Sequence, residues 1–153
     1  MGAEDRLREL KIDLPPAPKP VATYTPAVRV GNLLFVSGHG PAEIEGVAGR
    51  GKAGADLTTD QAQAAARAVG LNILSTVKGT LGSLDKVVRV VKVLGMVNAA
   101  PDFTAHPTVI NGFSDLMVEV FGLPGKGARS AVGMGSLPGN IPVEIEAIFE
   151  VRD

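Results

Sequence analysis

The sequence predicts an α+β protein, because its strands and helices occur in the order β-β-α-β-α-β-β and signals for antiparallel hairpins occur near both ends. A doubly wound parallel sheet would instead alternate single strands with helices throughout. The length of 153 residues suits one domain with a sizeable core. We therefore expect one domain over residues 21–153, preceded by a lead-in over residues 1–20.

The N-terminal part of the chain predicts a short helix, an extended segment and a hairpin. The helix is expected over residues 4–11, and the Pro-rich stretch LPPAPKP at residues 14–20 should run extended over the surface. Strands are predicted over Ala27–Val30 and Leu33–Ser37, because Gly31-Asn32 between them is a two-residue hairpin signal.

The first long helix follows a Gly-rich stretch, residues 46–56, that predicts a loop with at most a short strand. Thr58 and Gln61 have the spacing of a capping box, and apolar residues recur at helical spacing as far as Gly82. Many of these apolar residues are Ala, so the helix should lie close to whatever it covers.

A Val-rich strand and a second helix come next. Val87–Val97 is apolar on both alternating faces, which is typical of an inner strand covered on two sides, whether by its own chain or by another. Asp102 is predicted to cap a helix that extends to Val120 and ends at Gly122.

The chain closes with two strands joined by the turn LPGN at residues 137–140. The first of these strands begins at Arg129, and the second is predicted over Val143–Val151 with one strictly apolar face. We expect these strands to form the second hairpin.

The position of Arg129 in its strand suggests a binding site. Side chains alternate across a strand, so Arg129 shares a face with Ala131, Gly133 and Gly135, where few atoms stand in the way of a ligand. A guanidinium above such a bare floor suits a small carboxylate. The alternative is an edge charge that prevents aggregation, with the glycines forming a bulge.

Composition excludes several classes of function. A net charge of -1, from 15 basic and 16 acidic residues, gives no electrostatic footprint for nucleic acid or an anionic membrane. The absence of Cys excludes disulfides and thiolate chemistry, and two scattered His make a metal site unexpected. Neither a signal peptide nor a membrane-spanning run is evident, so we expect a cytoplasmic protein.

Several residues together resemble the YjgF/RidA family over roughly residues 20–153. They are Tyr24, Ser37-Gly38, Asn111 and the motif ARSAV…LP…VEIEAI between Ala128 and Ile148. The resemblance implies a chorismate-mutase-like α+β fold with two long helices on one face of the sheet, assembled as a homotrimer with a site in each cleft between subunits. It also implies hydrolytic deamination of reactive 2-imino and enamino acids, such as 2-aminoacrylate, to 2-keto acids and ammonia, without a cofactor.

The resemblance further implies roles for individual residues. Arg129 matches the residue that grips the substrate carboxylate, and Glu144 matches the acidic residue beside the attacking water, although alternating Glu144 and Glu146 also fit a solvated strand face. Further substrate-binding positions are expected at Tyr24, Ser37, Gly38, His39, Asn111 and Ala131.

Two of these positions depart from the pattern of the family. Ala131 stands where characterised deaminases often have Cys, and His39 stands where many relatives have Gln. His39 could titrate near neutral pH and assist proton transfer, or it could be a hydrogen-bonded turn residue. These differences suggest a divergent subgroup whose own substrate is open.

Two other functions stay open at this stage. The Arg129 pocket could belong to a protein that binds a carboxylate metabolite without turning it over. Names used within the family also include endoribonuclease and translation inhibitor, but the balanced charge and the few aromatic residues disfavour RNA binding.

Overall fold

One five-stranded sheet organises the chain in the computed structural model, which describes residues 1–153. Its strands are β1 (Ala27–Val30), β2 (Leu33–His39), β3 (Val87–Asn98), β4 (Ala128–Met134) and β5 (Val143–Val151). They lie in the order β1-β2-β5-β3-β4. The β3–β4 pair is parallel and the other pairs are antiparallel. The predicted α+β class is confirmed.

Three α-helices accompany the sheet: α1 (Ala3–Glu9), α2 (Thr59–Leu81) and α3 (His106–Phe121). The two long helices, α2 and α3, pack side by side on one face of the sheet, so the opposite sheet face has no helical cover. None of the helices combines the length and hydrophobicity needed to cross a membrane.

The helix ends of α2 form as the sequence predicts. The Gln61 N–H donates to Thr58 Oγ1 at 3.2 Å, and the Thr58 N–H donates to Gln61 Oε1 at 2.9 Å, which completes the capping box. Gly82 ends the helix with a φ of 87°, a left-handed conformation that glycine adopts without strain. The Gly31-Asn32 hairpin between β1 and β2 is also confirmed.

The core between helices and sheet depends on small residues. Ala62, Ala65 and Ala66 of α2 are fully buried, which brings α3 close enough that a Cβ on Gly112 would collide with the Gln63 carbonyl oxygen. Gly95 of β3 lies beneath Ile110, whose side chain would be 2.6 Å from a Cβ at that position. These close contacts set the height of α3 above the sheet.

The predicted start of α3 is wrong. Asp102 does not cap the helix, which begins at His106 after the uncapped residue Ala105. Pro107 explains the difference, because its ring and missing N–H are tolerated only in the first turn of a helix. A helix that began just after Asp102 would place Pro107 where a hydrogen-bonded N–H is required.

The predicted C-terminal hairpin is also wrong, because β4 and β5 are not neighbours. The crossover through α3 places β4 parallel to β3 at the sheet edge, and β5 then enters between β2 and β3. There its alternating face, Val143 to Val151, is buried beneath the helices. A hairpin with β4 would leave β5 outside the centre, and the facing backbone groups of β2 and β3 would lose their partner.

The N-terminal segment packs back onto the helices. The Glu4 carboxylate accepts the Leu84 N–H at 2.9 Å and pairs with Lys78 Nζ at 2.9 Å. Burial acts to raise the pKa of Glu4, but these hydrogen bonds and the Lys78 charge outweigh it and the net pKa is lowered. Ser75 Oγ of α2 also donates to the Pro15 carbonyl at 2.6 Å.

The close helix crossing predicts opposite effects for the same substitution at two glycines. Gly112→Ala should lower the free energy of unfolding by about 1–3 kcal/mol, because the new methyl must displace the Gln63 carbonyl. Gly79→Ala is the matched control in α2, where a Cβ meets nothing within 4 Å, and it should stabilise by up to ~0.5 kcal/mol. Urea unfolding of both variants tests this, and equal effects would contradict the described crossing.

Candidate functional site

Arg129 lies on the edge strand β4, and its guanidinium reaches across to α3. Nη1 donates to Asn111 Oδ1 at 2.9 Å and to Ser114 Oγ at 3.2 Å, while Nη2 donates to the Pro107 carbonyl at 3.3 Å. Asn111 and Ser114 are three residues apart on the helix, so they present their oxygens on the same side. Residues of one helix therefore fix the direction of the guanidinium.

The charge of Arg129 is not neutralised within the chain. Its acceptors are an amide, a hydroxyl and a carbonyl oxygen, and none of the six ion pairs involves it. The guanidinium opens on a pocket of about 650 Å³ between α3 and the start of β4, which is also lined by Lys126 and by two carboxylates, Asp115 and Glu119. Glu119 is paired with Arg67, and neither carboxylate forms an ion pair with Arg129. A positioned but uncompensated guanidinium in a pocket is suited to bind a carboxylate in bidentate fashion.

The floor beside Arg129 is less bare than the sequence suggests. Gly133 does face α3, but the ring of His106 occupies the space above it, 2.5 Å from where a Cβ would lie. Phe103 packs edge-on against that ring with 5.2 Å between the ring centroids. The glycine at this point therefore makes room for a side chain of the same chain.

Sequence reasoning missed Ser114 and the position of His106. Ser114 could have been found, because it follows Asn111 at helical spacing and so lies on the same side of α3. His106 begins α3, and its contact with Gly133 depends on the β3–β4 crossover, which has no local signal in the sequence.

Glu144 lies on the opposite face of the sheet from Arg129. Arg129 pairs with Val93, whose side chain is in the helix-covered core, whereas Glu144 pairs with Met96, which is three residues further along β3 and so points to the other face. The Glu144 carboxylate packs against Gly38 so closely that a Cβ there would be 2.6 Å from Oε2. Burial first, and the neighbouring Glu146 second, raise the pKa of Glu144.

Tyr24 and Ser37 belong to the same region as Gly38 and Glu144. The Ser37 N–H donates to the Pro26 carbonyl at 2.9 Å, and Ser37 Oγ donates to the Thr25 carbonyl at 2.6 Å. These bonds tie the segment that follows Tyr24 to β2, and Tyr24 itself is 46% exposed. A hydroxyl committed to a carbonyl is not arranged as a nucleophile.

His39 is turned away from the Glu144 surface. Its ring lies on the helix side of the sheet, 6% exposed, between the Ser37 carbonyl and the Thr76 hydroxyl of α2. Burial lowers the pKa of His39, against the opposing effect of the hydrogen bond to Ser37. Direct contact of this ring with a substrate beside Glu144 is not available in this conformation.

The candidate residues thus form two clusters in one chain. The first cluster comprises Arg129 with Asn111 and the adjoining Ala131, and the second comprises Glu144 with Tyr24, Ser37 and Gly38. The sheet separates the two. No group of three or more metal-ligating side chains occurs in either cluster or elsewhere in the chain.

A larger groove, of about 780 Å³, lies between the N-terminal segment and α2. It contains Arg8, Lys11 and Lys78, of which Arg8 and Lys78 are in ion pairs with Asp5 and Glu4. The groove adjoins neither cluster, so its size does not make it the candidate site.

Comparison with known proteins gives relatives of matching length. Protein TCP17 of Trypanosoma cruzi is 43% identical over 148 residues, covering 96% of this chain and 92% of the relative. A protein of Dermatophagoides farinae named 2-iminobutanoate/2-iminopropanoate deaminase is 31% identical over 141 residues, covering 92% and 95%. The crystal structure of the Agrobacterium tumefaciens protein Atu1372, of unknown function, is 45% identical with a TM-score of 0.86, covering 97% and 91%.

The family model described as "YjgF/chorismate mutase-like, putative endoribonuclease" matches residues 4–145. This match includes both clusters of candidate residues and both long helices. Together with the relatives above, it shows that the chain belongs to the YjgF family.

Proposed function

We propose that this protein hydrolyses reactive 2-imino or enamino acids to 2-keto acids and ammonia without a cofactor. The observation that supports this most directly is the Arg129 guanidinium, which is held by neutral oxygens and left without a carboxylate. A relative named as a deaminase of 2-iminobutanoate and 2-iminopropanoate supports the same class of substrate.

We further propose that the chain acts as a homotrimer in which neighbouring subunits unite the two clusters. The sheet face opposite the helices exposes apolar side chains that an isolated subunit leaves in water, notably Val28 (49%), Val30 (61%), Phe35 (42%) and Val132 (38%). Burial of such a face against copies of the chain is favourable. A cleft formed in this way would bring Glu144 of one subunit near Arg129 of the next.

The proposed reaction begins with the protonated imine held by its carboxylate on Arg129. A water oxygen attacks the iminium carbon, the electron pair of the C=N bond moves to nitrogen, and Glu144 accepts a proton from the water. The product of this step is a neutral carbinolamine. Fixing the carboxylate supplies the orientation that makes the attack effectively unimolecular.

The second half of the reaction returns the proton. Protonated Glu144 donates to the amine nitrogen, the C–N bond breaks with its electron pair leaving on ammonia, and the hydroxyl oxygen forms the keto group. The proton lost from that hydroxyl is taken up by the departing ammonia. A raised pKa suits Glu144 to this double role, because the protonated carboxyl persists closer to neutral pH.

Substitution of Arg129 tests whether its guanidinium binds the substrate carboxylate. Arg129→Ala should reduce kcat/KM about 10²- to 10³-fold, because two charge-assisted hydrogen bonds to the substrate carboxylate are lost. Arg129→Lys is the matched control that keeps the charge without the fork, and we expect an intermediate loss. Ammonia and keto-acid release are measured with 2-aminoacrylate or 2-iminobutanoate generated in situ.

An unaltered rate in Arg129→Ala would contradict the carboxylate clamp. No turnover of any imine by a correctly assembled wild-type protein would instead favour a binding role. In that case Glu144→Gln should leave the affinity for a keto acid unchanged, as measured by calorimetry.

RNA binding that weakens steeply with added salt would instead favour the endoribonuclease function.

Mixing of two inactive variants tests whether the site is shared between subunits. Chains with Arg129→Ala and chains with Glu144→Gln should each lose activity, but trimers refolded from an equal mixture should regain about a quarter of the wild-type rate per site. That fraction is the chance that an intact Arg129 faces an intact Glu144 from the neighbour. A site built within one chain would regain nothing, because every chain then contains one defect.

A further inference from the structure

Strand β2 contains a bulge at the point where it meets Glu144. The pairing of β2 with β5 shifts register between Val36 and His39, so that Ser37 and Gly38 together oppose Glu146 of β5, two residues from Glu144. The bulge brings the Gly38 main chain against the Glu144 carboxylate, so a side chain at this position would have to displace that carboxylate. The surroundings of Glu144 therefore depend on how this bulge is held.

The ring of His39 holds the bulge from the helix side. His39 Nδ1 lies 2.6 Å from the Ser37 carbonyl oxygen, which can only accept, so Nδ1 is the nitrogen with the proton. In the neutral ring Nε2 then accepts from the Thr76 hydroxyl at 2.8 Å. Thr76 is 3% exposed in α2, so the ring connects the bulge to a buried helix.

We propose that His39, supported by Thr76, is a positioning residue that fixes the Ser37–Gly38 bulge against Glu144 and so maintains the environment in which that carboxylate handles the water proton. The inference rests on the proposed function only for the role of Glu144. The contacts that connect α2 to the bulge through the His39 ring do not depend on which reaction the protein catalyses.

Few charged groups lie near enough to Glu144 to affect its pKa. Glu146 lies beside it on β5, and Lys92 of β3 is on the same sheet face but lies 3.4 Å from Ser130 Oγ of β4. The Ser37–Gly38 bulge of β2 contributes only neutral groups. Release of the bulge would admit water to the Glu144 carboxylate, and its pKa would fall toward its ordinary value because burial is the main cause of the raised pKa.

Two substitutions of His39 each keep one of its two hydrogen bonds and remove the other. In His39→Asn the amide nitrogen can take the position of Nδ1 and keep the bond to the Ser37 carbonyl, while the bond to Thr76 is lost. In His39→Gln the amide reaches Thr76 and the Ser37 carbonyl is left without its donor. Both variants bury one amide and lose one hydrogen bond, so they serve as controls for each other's stability.

The experiment follows the Glu144 carboxyl by NMR titration in the assembled full-length protein, with Glu144→Gln used to assign its signal. We expect the pKa of Glu144 to fall in His39→Gln and to stay near the wild-type position in His39→Asn. The acid limb of the pH–rate profile should move to lower pH in His39→Gln, with kcat reduced about 10- to 100-fold and KM little changed.

Failure of the positioning role and failure of the proposed reaction give different results. An unchanged Glu144 titration in a folded His39→Gln protein would overturn the positioning role, whatever the activity. Equal shifts in both variants would also overturn it, because loss of packing rather than loss of the Ser37 bond would then be responsible. A Glu144 pKa that falls in His39→Gln, while the wild-type protein shows no deaminase activity, would support the link and reject the proposed reaction.

Discussion

The insertion of β5 between β2 and β3 determines where every candidate residue lies. Antiparallel pairing on both sides holds β5 in one register, so Ile145 and its alternate neighbours face the helices while Glu144 faces the uncovered side. A slip of one residue would exchange these faces and place Glu144 in the core. The same insertion leaves β4 at the edge, where Arg129 reaches α3.

The edge position of β4 explains why an uncompensated cation is tolerated there. Arg129 is only partly buried, so its charge is not left in the core, and the Asn111 and Ser114 oxygens accept from Nη1 without cancelling the charge. In the middle of the sheet the same residue would need a carboxylate partner. The partner would then occupy the place that a substrate carboxylate needs.

The local signals of the sequence were sufficient for the hairpin of β1 and β2 and for α2 with its capping box. They failed where distant parts of the chain decide the outcome. The separation of β4 from β5 depends on the crossover through α3, and the inward direction of His39 depends on the bulge that precedes it. A bulge reverses the alternation of side chains without any change in hydrophobic pattern, so counting along β2 places His39 on the wrong face. The resemblance to the family suggested the site residues but not the side of the sheet on which each lies.

The separation of the two clusters has a physical advantage for a site that must keep both charges. Within one chain, Arg129 and Glu144 lie on opposite faces of the sheet and cannot neutralise each other. If both groups approached within one subunit, a salt bridge would satisfy them, and a substrate would have to break it before binding. A cleft between copies can set the spacing of the two groups by the subunit contact, so that a small carboxylate and one water fit between them. In the proposed trimer, the bulge beside Glu144 and the helix beside Arg129 would each position one half of the site before assembly, and the subunit contact would set only the distance between them.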